Sequence, residues 1–472
     1  KPLTKKPPTM KLVFLLAFIL LALPATATAE SANARPNIVF VLFDDMGWGQ
    51  PQSYNPQSAL RTPNFDKFAS QGMRFTDAHA AAAVCTPTRY GVLTGRYPSR
   101  IGQFGVCTTF SKPIIPANRM TVASLLKQHG YATACIGKWH LGMDWVDGKP
   151  GSEKEVPIGA KMTGGPNSLG FDYFCGFTHA RNIGTIIEQD QVVAHVNAVG
   201  NQPLMIKKAV DWIDQQKQDE PFFLYFPMCP PHEPLVPSPE YAGKSGALDL
   251  VKKSPEYGDW LYQGDAMLGQ IVEALDRNKL ADNTLIIATS DNGAEHRAYE
   301  PLRESKRSIY EGGHRVPFVA RWPGKVKPGS VNRHTICLND LMATAAEIVG
   351  AKIPDNAGED SVSLILELVG SSTSGTREAT IHQSSGGDLA IRQGPWKLIF
   401  LKTGKQELYN LQNDLSETKD VLSANADVAA KMTTLAQGYI ANGRSTAGAS
   451  QKNDFDLSIT GDGTKGKRKK KE

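Results

Sequence analysis

Four short apolar runs, each closed at its carboxyl end by polar residues, restrict the fold of this chain more than any other feature. They are residues 37–43 (NIVFVLF), 132–137 (ATACIG), 221–226 (PFFLYF) and 284–290 (TLIIATS). Such continuous runs predict buried strands, and stretches with helical spacing lie between them. The alternation predicts an α/β fold, a large mixed, mainly parallel sheet flanked by helices. In open sheets of this class ligands bind just past the carboxyl ends of the strands. The residues found there are Asp44-Asp45, Lys138-Trp139-His140, Pro230-Pro231-His232-Glu233-Pro234 and Asp291-Asn292-Gly293.

Two adjacent carboxylates repel each other unless positive charge lies beside them. A divalent cation with hard oxygen ligands, calcium or magnesium, meets that need at Asp44-Asp45, and Asp291-Asn292 offers more such oxygens. From these residues alone a turn or helix cap is the commoner reading. Residues 80–84 are small and apolar, and Thr86-Pro87 reads as a helix start. Cys85 then sits at a helix N-terminus, where unpaired N–H groups and the macrodipole favour an anion. Arg89 lies one turn later on the same side. Taken alone, Cys85 reads there more often as an inert buried thiol.

Cys85-Thr86-Pro87-Thr88-Arg89, followed by Leu93-Thr94-Gly95-Arg96, resembles the sulfatase signature Cys-x-Pro-x-Arg with its Leu-Thr-Gly-Arg extension. Lys138-Trp139-His140-Leu141-Gly142 resembles a second sulfatase segment, and Pro231-His232-Glu233-Pro234 a third. Lys306 stands upstream of Glu311-Gly312-Gly313-His314-Arg315-Val316-Pro317, as a lysine does in that family. Two departures are Glu304-Ser305 in place of Gly-Gly before the lysine, and His314 in place of an aliphatic residue. The matches run in the family's order from Asn37 to Pro317.

This resemblance implies a formylglycine-dependent, arylsulfatase-like enzyme of the alkaline phosphatase superfamily. A maturation enzyme would oxidise Cys85 to formylglycine (3-oxoalanine), which hydrates to a gem-diol. Asp44, Asp45, Asp291, Asn292 and the modified residue 85 would hold a metal, calcium ahead of magnesium. Arg89 would stabilise the attacking alkoxide. Lys138, His140, His232 and Lys306 would contact the sulfate or the leaving oxygen, with His232 or Lys306 protonating the departing alcohol and His140 taking the proton of the second hydroxyl. The implied substrate is a sulfated carbohydrate or an aryl sulfate, and His179 and His382 are expected to reach the sugar. Two alternatives share the resemblance: a phosphonate or phosphodiester hydrolase of the same superfamily, and a non-catalytic carbohydrate-binding relative.

The ends of the chain differ from its body. Lys11, the apolar residues 12–23, Pro24 and the small residues 25–29 read as a secretory signal cut after Ala29, with residues 1–9 an upstream extension. The apolar run is shorter than the ~20 residues of a membrane span, so export to the periplasm or the outside is expected, with no membrane span. The catalytic α/β domain is placed at 30–365. A smaller C-terminal α+β subdomain with an antiparallel sheet is placed at 366–448, its last helix capped by Ser423. A disordered basic tail is placed at 449–472. The chain's net charge is +5, but the lysines of the two ends exceed that excess and leave an acidic body. A nucleic-acid partner is therefore not expected. The six cysteines form no C-x-x-C pair, and the sequence assigns no disulfides.

Overall fold

The four apolar runs become neighbouring strands in a ten-stranded sheet of the computed structural model, which describes residues 1–5 and 35–459. The apolar run of the expected signal, its cleavage site and the lysine block at 465–471 lie outside the described residues. The sheet is built from β1 (Asn37–Asp44), β2 (Met73–Phe75), β3 (Ala132–Lys138), β4 (Tyr173–Phe177), β5 (Thr185–Glu188), β6 (Gln191–His195), β7 (Phe222–Pro231), β8 (Thr284–Ser290), β9 (Phe318–Arg321) and β10 (Ser330–Asn332). Their spatial order is β10-β2-β9-β8-β1-β7-β3-β4-β5-β6. The central five, β8 to β4, run parallel. Antiparallel joins flank them on both sides, so the sheet is mixed with a parallel heart, as expected.

Every residue of β1 is buried, and successive side chains enter different cores. Ile38, Phe40 and Leu42 join one core, which also takes residues of α2 (Cys85–Thr94), α3 (Val122–Gln128) and α6 (Leu341–Val349). Val39, Val41 and Phe43 join the other, with residues of α1 (Pro63–Gln71), α4 (Ala198–Ile213) and α5 (Glu256–Arg277). Burial on both faces is why the strand reads as an unbroken apolar run rather than an alternating one. The register pairs Phe43 with Ser290 and Asp44 with Pro231. The polar residues that follow β1, β7 and β8 therefore emerge along one edge of the sheet.

The C-terminal region forms a four-stranded antiparallel meander, β11 (Thr380–Gln383), β12 (Leu389–Gln393), β13 (Trp396–Phe400) and β14 (Gln406–Asn410). Helix α7 (Ala426–Ala441) packs on it through Ala429, Met432 and Ala436. Ser423 does not cap this helix. It lies in the short turn Leu422–Ala424, and Asn425 takes the cap position without a side-chain bond. Residues 449–459, placed in the expected tail, pack on the rest of the chain. Asp454 pairs with Arg96 at 2.8 Å, the Asp454 and Phe455 amides donate to the Arg100 carbonyl, and Ile459 is buried in the C-terminal core. Phe455, Leu457 and Ile459 supply an apolar anchor. Among the described residues no helix is long and apolar enough to cross a membrane.

Candidate active site

Cys85 is the first residue of α2, after Val84 in an extended conformation. Its Sγ donates to Asp44 Oδ1 at 3.2 Å and lies 3.9 Å from Asp45 Oδ1. Burial, then the Asp291 and Asp44 carboxylates, push the thiol's pKa well above its usual range. The encoded side chain is thus a protonated thiol at neutral pH, and a weak nucleophile as it stands.

The carboxylates converge because the chain turns sharply after β1. Asp45 adopts φ 69°, the left-handed region that aspartate tolerates better than most residues. Its N–H donates to Asp291 Oδ1 at 3.1 Å. Asp44, Asp45 and Asp291 are all at least 98% buried. Burial pushes Asp44 up, but Lys138, His232, Arg89 and Lys306 together outweigh it and hold its carboxyl well below the usual range. Burial and the nearby Asp44 push Asp291 up to about 7 against the pull of Arg89. The cluster thus holds more acidic groups than its own cations fully ionise.

Those cations are fixed by the same elements. Arg89 spans the site, its Nε and Nη2 donating to Asp291 Oδ2 at 3.1 and 2.8 Å and its Nη1 to the Lys138 carbonyl at 2.9 Å. Lys138, at the end of β3, pairs with Asp44. Lys306 Nζ is 2.7 Å from Asp45 Oδ2 and 3.3 Å from Glu295 Oε2. His232 Nε2 stands 3.7 Å from Asp45 Oδ2, with a fifth of its side chain exposed at the mouth.

His140 has a defined tautomer. Its Nε2 lies 2.9 Å from the Cys107 carbonyl, which only accepts, so Nε2 carries the hydrogen. Nδ1 then offers a buried lone pair with no partner among the described residues. Burial, Lys138 and Arg89 hold the ring's pKa well below the usual range, so it stays neutral. Its backbone is left-handed, φ 58°. Thr86 Oγ1 secures that turn, donating to the His140 carbonyl at 2.8 Å and accepting from Cys107 N at 3.0 Å. His179 stacks on His140 with ring centroids 5.7 Å apart. Its Nδ1 accepts from Arg181 N, and its Nε2 lies 3.0 Å from Thr109 Oγ1.

A divalent cation fits this donor set. Ligand atoms of Asp44, Asp45, Cys85 and His232 lie within 4.8 Å of one another. Asn292 donates through Nδ2 to Asp45 Oδ1 at 2.7 Å, while its Oδ1 is buried and without a donor among the described residues. An orphaned amide oxygen beside three carboxylates is a hard, oxygen-rich environment.

All the expected metal and catalytic residues meet here, and His179 lies beside them. His382 does not. It is fully buried, stacked 4.1 Å from His314, with Nδ1 3.1 Å from the Ala80 carbonyl and Nε2 2.7 Å from Thr380 Oγ1. A histidine at the end of a strand reads alike whether the strand's end opens on a cleft or is roofed by another subdomain. Glu295 was not expected. It joins Lys306 to Arg307, the latter at 2.6 Å, and its place just after Asp291-Asn292-Gly293 was the available signal.

The profile described as Sulfatase matches residues 36–351. That described as N-sulphoglucosamine sulphohydrolase, C-terminal, matches residues 295–438. The chain is 30% identical to an N-acetylgalactosamine-6-O-sulfatase of Bacteroides thetaiotaomicron over 85% of its own length and 93% of the relative's. It is 32% identical to human arylsulfatase A over 80% and 78% of the two chains. A solved structure concerned with the metabolism of multiple glycosaminoglycans by Bacteroides thetaiotaomicron superposes with a TM-score of 0.76 at 28% identity, covering 86% of this chain and 99% of the other. The chain belongs to the sulfatase family and is a sulfuric ester hydrolase.

Proposed function

We propose that this enzyme removes sulfate from sulfated glycans, with formylglycine at position 85 and a bound calcium ion. One observation carries the reading: Cys85 opens a helix 3.2 Å from Asp44, inside a buried set of three carboxylates, an orphaned amide oxygen and three cations. The glycan assignment draws on the relatives, one named for N-acetylgalactosamine sulfate and one concerned with glycosaminoglycans.

A sulfate ester is anionic and repels nucleophiles, so hydrolysis needs fixed positive charge around the sulfuryl oxygens and a proton for the leaving alkoxide. Asp44, Asp45, Asp291 and Asn292 would hold the calcium, which would polarise a sulfuryl oxygen when bound. The hydrated aldehyde would supply the attacking oxygen. Arg89, Lys138 and Lys306 are held in place before substrate arrives. At ~4 Å and an effective dielectric of ~20 each charge pair is worth about 4 kcal/mol. The Nδ1 lone pair of His140 takes the proton of the second hydroxyl. His232, at the mouth, protonates the departing alcohol when it is charged; burial lowers its pKa, and the Asp44 and Asp45 carboxylates work against that lowering. Export through a signal ending at Ala29 completes the reading, with Glu30 as the first residue of the mature protein.

The peptide mass at residue 85, taken together with desulfation of a panel of sulfated oligosaccharides, tests the proposal. An aldehyde at position 85 and loss of sulfate from at least one glycan are expected. An unmodified thiol in fully active protein would overturn the nucleophile. Paired nitrophenyl sulfate and phosphate assays exclude the phosphorus-directed alternative if sulfate is the faster substrate. Loss of His232 should slow unactivated glycan sulfates far more than nitrophenyl sulfate, whose leaving group needs no proton.

A further inference from the structure

A carboxylate beside a site for an anion is unfavourable unless something offsets it, and Glu295 is such a carboxylate. Its side chain is 18% exposed. It lies outside the group of ligand atoms formed by Asp44, Asp45, Cys85 and His232, so a cation held there would not be its partner. Burial pushes its carboxyl up, but Lys306 and then Arg307 outweigh burial and hold it at about 2, so it is ionised at neutral pH.

Each of its oxygens has a cation instead. Oε2 accepts from Lys306 Nζ at 3.3 Å. Oε1 lies 2.6 Å from Arg307 Nη2 and 3.3 Å from Nε2 of the exposed His296. Arg307 is a separate anchor. Its N–H donates to the Ala83 carbonyl at 2.8 Å, and its own carbonyl accepts from Ser385 N at 3.1 Å. Its φ is 79°, a left-handed conformation that a non-glycine residue keeps only where surrounding bonds impose it. Its half-exposed guanidinium stands on the rim, not in the reaction centre.

A lysine is a point charge on a flexible stem, and its ammonium carries three N–H groups. Lys306 gives one to Asp45 at 2.7 Å and one to Glu295, which leaves the third for a sulfuryl oxygen. Asp45 would also serve the metal, and a carboxylate shared with a divalent ion is a poorer partner for lysine. Glu295 then remains as the anion that keeps the stem in place. We propose that Glu295, braced by Arg307, is a positioning residue that aims the Lys306 ammonium at the sulfuryl group. The proposal rests on Lys306 acting in the reaction, as read above.

Two measurements on the calcium-supplemented full chain test it. One is the affinity for inorganic sulfate by calorimetry, at ionic strength held constant with chloride. The other is kcat/KM for nitrophenyl sulfate. Both are made on wild type, Glu295→Gln, Lys306→Ala and the double variant. The sign of the sulfate result is decisive. Loss of a carboxylate that only stands nearby removes repulsion and tightens anion binding, whereas loss of one that aims Lys306 weakens it. Glu295→Gln keeps the shape of the side chain. It is expected to bind sulfate at least about fivefold more weakly and to lose about tenfold in kcat/KM. With Lys306 already removed, the same substitution is expected to leave sulfate binding unchanged or tighter. Glu295→Gln that binds sulfate as well as wild type or better overturns the proposal, as does a weakening that persists undiminished in the Lys306→Ala background. Lys306→Ala with wild-type sulfate affinity and turnover removes Lys306 from the reaction and takes the inference with it. An impaired Lys306→Ala beside an unimpaired Glu295→Gln overturns the inference alone.

Discussion

At the scale of single residues, Cys85 and Asn292 separate the proposed nucleophile from the proposed metal. A serine at position 85 carries one hydroxyl where a hydrated aldehyde carries two, so it can accept a sulfuryl group but cannot expel it by re-forming a carbonyl. Cys85→Ser is expected to lower kcat by roughly 10³-fold or more and to retain one sulfuryl group per chain, read by intact mass; ordinary turnover would show that no aldehyde is needed. Asn292→Ala removes the orphaned oxygen. Chelation is expected to lower the thermal midpoint of the wild-type protein and calcium to restore it, since a ligand at ~100 times its Kd stabilises the fold by about 2.7 kcal/mol. In Asn292→Ala the calcium-dependent part should shrink or vanish, and an unchanged calcium response would remove Asn292 from the metal site. Much of this site was legible because its residues follow apolar runs directly, as Asp44 follows Phe43 and Asp291 follows Ser290. The left-handed backbones of Asp45 and His140 were not legible, since no local glycine marks them and tertiary bonds such as Asp45 N to Asp291 hold them.

At the scale of elements, β8 falls on the boundaries its sequence pattern predicts. β7 runs to Pro231, five residues past its apolar run. Pro227, Pro230 and Pro231 argue against a central strand, but the β1 register shifts between Leu42 and Asp44 and lets the proline-bearing end pair there. That irregular end is what delivers His232 to the site. The loop after β8 is held as tightly. Gly293 N donates to the Gly313 carbonyl at 2.9 Å, and a Cβ at Gly293 would lie 1.8 Å from Gly312 O and 3.4 Å from Gly313 C. Both neighbours are backbone, so an added methyl must part the loop carrying Asp291 and Asn292 from the turn at Glu311–His314. Lys306 moves with them, because its N–H donates to the Ala294 carbonyl at 3.1 Å. Gly293→Ala is expected to cost about 1–3 kcal/mol of stability, and displacement of the proposed site groups about 10²-fold in kcat/KM. Unaltered melting and kinetics would show that the two segments part without disturbing the site.

At the scale of the whole molecule, the C-terminal sheet is tied to the catalytic domain through buried charge. Lys397 on β13 lies 3.0 Å from Glu311 and 2.7 Å from Glu417, and its Nζ is 3.1 Å from His314 Nε2. His314 continues to His79 at 3.2 Å, and His79 to Asp77 at 2.9 Å. The strands of the C-terminal sheet were legible in sequence, but this network was not. Its members are brought together only by the packing of one subdomain on another, and His314 registers in the sequence merely as a departure from an aliphatic position. Lys397→Met leaves Glu417 buried without its cation and Glu311 with Arg315 but not Lys397, which costs about 3–5 kcal/mol. The pH dependence gives the loss a signature. Burial pushes Glu311 up, but Lys397, followed by His79, His314 and Arg315, holds its carboxyl well below the usual range. In the wild-type protein its contribution is therefore present above the ordinary glutamate pKa and is lost as pH falls through the folded value. Glu417 is pushed up to about 7 by burial despite Lys397, so its contribution is largest below the ordinary glutamate pKa and fades as pH rises through about 7. Without Lys397 the folded pKa of each group rises relative to the wild type, so the added cost is greatest where both groups would otherwise be ionised. The difference in melting temperature between wild type and Lys397→Met should accordingly be large at pH 8 and smaller at pH 5. A difference that stays constant across that range would mean that Lys397 acts by packing alone and that the subdomains are not joined through charge.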